Sequence, residues 1–360
     1  MQKVIITSPS LNPEHTVSGI SSVAHFIISN NKDVEYIHFE VGKRDAEAGG
    51  RWNRVKRVWR NCREWKRLLK IHKDSIVHYN MPLMTGAIIR DYMLLNYAHR
   101  YGNPILLHLH GGNFMTQRQR PWLIRMMLKH IFSWVNHVVV LGEEEKNIVE
   151  EDFQLRDVTV LPNCIDLAAS KKYKRNVDLN RSISLLYIGR IEPNKGIDYI
   201  YDAVKELMHH KVDFILNFAG KESVPDSYIP RFENLLGNRF IYHGVVAGTV
   251  KEELYKSSDV FVLPSYYEGL PMALLEAMSF GLVPVVTSVG SIPMVITHGF
   301  NGFFVPLKES AGIVDSIIQL AEDPDMFRTM SKNAQGTIFE MFDDEKYISQ
   351  LNMMYLSYDR

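Results

Sequence analysis

The chain has 360 residues, with 41 Lys/Arg against 41 Asp/Glu and 46% hydrophobic residues. That length accommodates two domains of ordinary size, and the composition is that of a globular chain. No run of 18 uncharged apolar residues offers a spanning helix, residues 1–10 lack the regions of a signal peptide, and two cysteines cannot build a disulfide framework. The expected location is cytoplasmic.

Short apolar runs recur along the chain at 4–7, 34–39, 75–78, 105–108, 137–141 and 158–161. A second set follows at 184–188, 214–218, 240–243, 260–263, 283–287 and 303–305. Helix-length segments separate most of them. Such alternation predicts parallel sheets covered by helices on both faces, and its repetition predicts two doubly wound domains. The expected divisions are 1–166, a linker over 167–181, a second domain over 182–326, and a C-terminal helix over 327–360 that packs back on the first domain.

In the first half, a long loop leads to Val17-Ser18-Gly19-Ile20, where Ser18 suits the N-cap of a helix. Residues 51–73 carry ten Lys/Arg and one acid, Glu64. Trp52, Val55, Trp59, Cys62 and Leu69 fall at helical spacing there, with Trp65 and Leu68 beside them. A basic helix bearing tryptophans suits an anionic bilayer surface, where each well-placed cation contributes roughly 1 kcal/mol. The competing reading is a sheet-covering helix with a solvated basic face. Trp122 lies in a second basic stretch with Arg118, Arg120, Arg125 and Lys129. No motif supports nucleic-acid binding. Further on, Leu107-His108-Leu109-His110-Gly111-Gly112-Asn113 ends a predicted strand, with His110 at its carboxyl edge and His108 deeper on the same face. The basic cluster Lys171, Lys172, Lys174 and Arg175 reads as a solvated linker.

The second half opens with a strand running into Gly189-Arg190-Ile191-Glu192-Pro193-Asn194-Lys195-Gly196. A turn with two cations before a helix start suits a diphosphate. Neither a Walker loop nor a GxGxxG fingerprint is present. Between the runs at 260–264 and 283–286 lies Glu268-Gly269-Leu270-Pro271-Met272-Ala273-Leu274-Leu275-Glu276. The spacing predicts a helix over 271–280 with Pro271 at its first position. Glu268 then stands on the loop at a strand's carboxyl end and Glu276 about a turn and a half into the helix. Gly290 ends another strand and suits close backbone approach to a phosphate. Asn301-Gly302 is a turn signal, and Asp323-Pro324-Asp325 reads as a cap or turn.

This set, in this order, resembles the retaining GT-B glycosyltransferases of family 4. The family pattern is a G-R-x-x-x-x-K-G loop, an E-x7-E segment of the form EGLPxxLLEAM, and an NG-x-x-V turn. The chain departs from it at Gly290-Ser291-Ile292-Pro293-Met294, where a second glycine and an acid are frequent, and at Cys164 of Pro162-Asn163-Cys164. The resemblance implies a GT-B fold of two Rossmann-like domains facing across a cleft. It implies that Arg190 and Lys195 bind a nucleotide-sugar diphosphate beside Gly189. Glu276 would take the ribose hydroxyls, Glu268 a hydroxyl of the sugar, and the amides of Met272 and Ala273 the phosphates, with Gly269 and Leu270 completing the loop. Gly19 and His110 would serve from the first domain, His110 reaching the donor sugar.

The expected catalytic set is therefore Glu268, His110, Arg190 and Lys195, with no metal and no cofactor beyond the donor. The expected donor is UDP-linked. The expected acceptor is a glycan or polyprenyl-diphosphate-linked glycan, with the enzyme peripheral on the inner face of the cytoplasmic membrane. A nucleotide-sugar epimerase, a phosphorylase and a non-catalytic nucleotide-binding subunit are the competing readings. An epimerase would isomerise sugar without an acceptor, and the intact cationic and acidic set argues against the non-catalytic one.

Overall fold

The computed structural model describes all residues except 17, 43, 45–50, 112–120, 178–180, 224–226 and 359–360; the side chains of residues 51 and 54 are also left undescribed. The chain divides into two compact units, residues 1–164 with 344–360, and residues 165–343.

The first unit holds β1 (Gln2–Ser8), β2 (Val34–Glu40), β3 (Ile76–Met81), β4 (Ile105–Leu109), β5 (His137–Val140) and β6 (Val158–Val160). They form one parallel sheet in the order β2-β1-β3-β4-β5-β6. Every residue of β3 and β4 is buried, as strands covered on both faces require. The covering helices are α1 (Gly19–Asn30), α2 (Arg51–Ile71), α3 (Thr85–Tyr101), α4 (Trp122–Trp134) and α5 (Glu143–Phe153). One apolar core runs from Ile5, Val77 and Leu107 of the strands to Trp65, Leu95 and Leu128 of the helices.

The second unit holds β7 (Ile183–Ile188), β8 (Phe214–Ala219), β9 (Phe240–Tyr242), β10 (Val260–Leu263), β11 (Val283–Thr287) and β12 (Phe303–Val305). Its parallel sheet runs β12-β11-β10-β7-β8-β9. That is the doubly wound dinucleotide-fold order, in which the chain reverses direction across the sheet between β7 and β10. Its helices are α6 (Ile197–His209), α7 (Ile229–Leu236), α8 (Gly248–Ser257), α9 (Met272–Ser279), α10 (Ala311–Glu322) and α11 (Pro324–Met341). α6 shows why such segments are helical: Ile197, Ile200, Ala203, Val204 and Leu207 make one buried stripe. Asp323 caps α11 by accepting the Met326 N–H at 2.9 Å, with Pro324 in the first turn, as the Asp-Pro-Asp reading expected.

Two expectations about the chain's organisation are corrected. The helix expected over 327–355 is two helices. Phe342 adopts an extended conformation and is buried, which stops α11, and a new helix, α12 (Asp344–Leu356), starts with two acids in its first turn. α11 stays with the second unit, and only α12 joins the first. Nor is the basic segment after 166 a solvated linker. The Arg175 side chain is only 5% exposed and donates to Asp259 Oδ1 at 2.7 Å and to the Lys256 carbonyl at 3.1 Å. Tyr173 packs on Phe280. These residues belong to the second unit.

The basic helix is only partly covered. Trp65 and Leu69 of α2 are fully buried, with Trp65 Nε1 donating to the Leu94 carbonyl at 2.9 Å and its ring 4.7 Å from that of Phe39. Trp52 (80%), Val55 and Trp59 (67%), in its first half, are exposed. Among the described residues, no helix is long and apolar enough to cross a membrane.

Candidate active site

The carboxyl ends of β7 and β10 lie side by side at the reversal point of the second sheet, where ligands of such sheets bind. β7 continues into Gly189 and half-buried Arg190, whose carbonyl accepts from the Tyr187 hydroxyl. A short 3-10 turn, Pro193–Lys195, then leads to Gly196 at φ +73°. A Cβ on Gly196 would stand 2.1 Å from the Pro264 carbonyl oxygen at the end of β10. Glycine is therefore required here by both backbone angle and space, and the two loops are locked together. The Tyr266 N–H donates to the Asn194 carbonyl at 2.9 Å across the same seam.

This seam brings Lys195 to Glu268. Lys195 Nζ lies 2.7 Å from Glu268 Oε1, with side chains only 19% and 12% exposed. The next residues, Gly269 and buried Leu270, carry the chain to Pro271, which precedes α9 instead of forming its first residue. The carbonyl of Pro271 accepts from the amides of Leu274 and Leu275. Met272 and Ala273 stand at the start of the helix, where amides have no intrahelical carbonyl to pair with and the helix dipole is positive. Glu276 follows on α9. Its Oε2 accepts from Tyr255 at 2.7 Å and pairs with Lys251, both from α8. Burial and the charge of Glu276 push the Tyr255 hydroxyl well above the usual tyrosine range, so it stays a donor. With one oxygen clamped, the carboxylate is oriented for a further donor at the other.

Gly290, expected to face a phosphate, is instead crowded by the loop itself. Its added Cβ would meet the Glu268 carbonyl oxygen at 2.1 Å, and the Ser291 N–H donates to the Gly269 carbonyl at 2.9 Å. Its close backbone approach serves to hold Glu268. Asn301 is a structural turn residue: its amide donates to the Val295 carbonyl and its oxygen accepts the Thr297 N–H.

In the first unit, His110 follows β4 at the carboxyl edge. It donates from Nε2 to Asn80 Oδ1 at 2.6 Å, because the Asn80 amide, oriented by its bond from Nδ2 to the Thr7 carbonyl at 2.8 Å, turns its oxygen to the ring. Its Nδ1 is thereby left as an acceptor. Burial, with His108 and His78 nearby, lowers its pKa well below the ordinary histidine value, so the ring is neutral. Gly19 opens α1, is exposed, and has nothing within 4 Å of an added Cβ. Ser18 sits at the N-cap in extended geometry, but its side chain makes no capping bond. Gly112 and Asn113 lie outside the described residues, as do Arg118 and Arg120.

The second unit thus gathers Gly189, Arg190, Lys195, Glu268, Gly269, Leu270, Met272, Ala273 and Glu276 around one sheet edge, while Gly19 and His110 belong to the first. Lys251, Tyr255 and Asn80 were missed. Each sits just past a predicted strand or on the helix after it, which was the available signal.

The family described as Glycosyl transferases group 1 matches residues 170–337, and Glycosyltransferase Family 4 matches residues 26–169. The N-acetyl-alpha-D-glucosaminyl L-malate synthase of Bacillus anthracis is 38% identical over 291 residues, covering 78% of this chain and 73% of the relative. The chain belongs to the group 1 glycosyltransferases. A second relative of this glycosyltransferase is the Escherichia coli UDP-Gal:alpha-D-GlcNAc-diphosphoundecaprenol alpha-1,3-galactosyltransferase, 25% identical over 322 residues, covering 81% of this chain and 77% of the relative. HepE of Anabaena, solved in complex with UDP-glucose, shares the GT-B fold at a TM-score of 0.74 and 15% identity, covering 99% and 100% of the two chains. The glycosyltransferase assignment and the presence of two Rossmann-like units agree with the expectations from sequence.

Proposed function

We propose that this glycosyltransferase moves a sugar from a UDP-sugar to a lipid-linked glycan in surface polysaccharide assembly (O-antigen, capsule or exopolysaccharide), with retention at the anomeric carbon and without a metal. The observation that carries the reading is the Lys195–Glu268 pair at the sheet reversal, beside the amide-bearing start of α9. The chemistry must stabilise a departing diphosphate and an oxocarbenium-like sugar. Arg190, Lys195 and the amides of Met272 and Ala273 supply fixed positive charge for the first, in the role a metal ion plays elsewhere. Glu268 orients a sugar hydroxyl, Glu276 the ribose, and neutral His110 accepts from the sugar through Nδ1. The anomeric carbon–oxygen bond to phosphate breaks, the acceptor oxygen bonds on the same face, and the acceptor's proton passes to the leaving phosphate. UDP is supported by the E. coli relative's name and the ligand of HepE.

The donor is tested by thermal unfolding with UDP-, GDP- and ADP-sugars in EDTA. A ligand at a hundred times its Kd stabilises by about 2.7 kcal/mol. UDP-sugars are expected to raise Tm in wild type and far less in Lys195→Ala; a shift unchanged by that substitution would refute the site. NMR of the product's anomeric proton reads retention.

The acceptor class divides the two relatives, since the B. anthracis name specifies malate and the E. coli name a diphosphoundecaprenol. The exposed Trp52, Val55 and Trp59 on a basic helix favour the lipid. Wild type is expected to sediment with phosphatidylglycerol vesicles at low salt and to be released as screening rises. Trp52→Ala/Trp59→Ala should bind at least about tenfold more weakly, from two lost apolar anchors. Equal sedimentation with phosphatidylcholine, or none with either lipid, would remove the membrane from the proposal.

A further inference from the structure

Three histidines lie in a row in the first unit, all belonging to neighbouring strands or the edge they lead to. His78 Nε2 is 3.2 Å from His108 Nδ1, the two rings are stacked at 5.4 Å, and the His108 and His110 rings are 4.2 Å apart. His78 and His108 have no solvent exposure. At its far end the row meets Tyr355 of α12, whose hydroxyl lies 2.6 Å from His78 Nδ1. Only His110 has a part in the proposed reaction.

The hydrogen bonds around Tyr355 define which way the protons run. Asn31 Oδ1 accepts the Asp33 N–H at 3.2 Å, which orients its amide. Asn31 Nδ2 therefore donates, to Asn352 Oδ1 at 2.6 Å and to the Tyr36 hydroxyl at 2.9 Å. Tyr36, already accepting, passes its own hydrogen to the Tyr355 oxygen at 3.4 Å. Tyr355 then donates to His78 Nδ1, and 2.6 Å is the length of a hydroxyl donor bond rather than of an N–H one. His78 must carry its hydrogen on Nε2 and give it to His108 Nδ1. His108 is left with a hydrogen on Nε2, and that buried atom has no partner among the described residues. An unpaired buried donor is costly and is retained only where the surroundings impose it. Burial also holds His108 down to about pKa 3, so a second ring proton does not alter the pattern.

We infer that Tyr355 is a positioning residue for His110: from the C-terminal helix it imposes one hydrogen arrangement on His78 and His108, and this fixed stack is the surface on which the His110 ring rests. Asn80 orients His110 from one side and the His108 ring supports it from the other. The inference rests on the reading that His110 meets the donor sugar, but its first test does not depend on turnover.

The experiment is 15N NMR of the full chain labelled at histidine. His78, His108 and His110 are expected to show hydrogen on Nε2 and a bare Nδ1. In Tyr355→Phe, His78 should lose its single tautomer and His108 should change with it. Turnover of the donor found by thermal shift should fall roughly tenfold in kcat with KM little changed, as a small misplacement of a substrate-contacting group costs. Tyr36→Phe, which cuts the chain one step earlier, gives the same readout if Tyr355→Phe fails to fold. Tyr347→Phe is the control, because that hydroxyl, on the same helix, is buried with no hydrogen-bond partner among the described residues. Hydrogen on Nδ1 of His108 in wild type, or unchanged tautomers in both Phe variants, would overturn the inference. Altered tautomers with unchanged kcat would also overturn it. Failure of every donor to turn over in wild type would instead strike the transferase site itself.

Discussion

Lys195→Ala is expected to lower kcat/KM by about 10²–10³-fold, the usual cost of removing one preorganised charge from a group that develops negative charge in the transition state. The size follows from the geometry. Lys195 is held at 2.7 Å from Glu268, on a loop whose Gly196 lies so close to the Pro264 carbonyl that a Cβ there would stand 2.1 Å from its oxygen. In the proposed reaction its ammonium would already be in place when the diphosphate leaves. Removing it also leaves the Glu268 carboxylate without its counter-ion beside an anionic ligand, so KM should rise while kcat falls. Glu268→Ala is expected to lose a comparable factor through the sugar. The double variant should lose less than the product of the two, because the partners share one ion pair. Steady-state release of UDP with the preferred donor and acceptor checks all three. Wild-type turnover in Lys195→Ala would remove the cationic turn from the mechanism.

The largest stability effect is expected at Asp259. This carboxylate is 1% exposed and takes Arg175 at 2.7 Å, Arg181 at 2.8 Å and the Ser184 N–H at 2.9 Å. Asp259→Ala leaves the guanidinium of Arg175 with the Lys256 carbonyl but without its carboxylate counter-ion, and should cost about 3–5 kcal/mol. For a unit of this size that is a fall in Tm of about 10 °C. Arg175→Met should cost less, since Asp259 keeps Arg181 and the backbone N–H while the methionine fills the path beside Gly281. Calorimetry on both variants decides. A loss below about 1 kcal/mol in Asp259→Ala would place the pair with ordinary surface bridges.

How much of this was readable beforehand varies with the range of the interaction. The twelve strands among the described residues fall on the apolar runs, and those buried on both faces, such as β3 and β4, need nothing but their own residues to announce them. The Glu268 to Glu276 segment was legible because a strand end, a loop and a helix start are contiguous in the chain. Arg175 was misread for the opposite reason. Its neighbours Lys171, Lys172 and Lys174 look solvated, and the partner that buries it comes 84 residues later. The break at Phe342 was hidden because its apolar side chain fits the helical period, while its burial is decided by tertiary packing. In α2, Trp52 falls at the helical spacing and Trp65 beside it, yet the first is exposed and the second is enclosed. Periodicity does not report which part of a covering helix is itself covered. Tyr355 and His78, 277 residues apart, left no trace in either local pattern.

The return of α12 has a consequence for biogenesis. The first unit includes 344–360, and Gln2 donates to the Tyr355 carbonyl at 3.2 Å. On a ribosome its opening strand emerges long before the segment that seals His78 from water. The unit translated in between is contiguous, whereas the earlier-born one lacks α12 until residues more than three hundred positions later are made. Nascent chains stalled before 344 should therefore protect the later-made unit from protease first, reversing the order of synthesis.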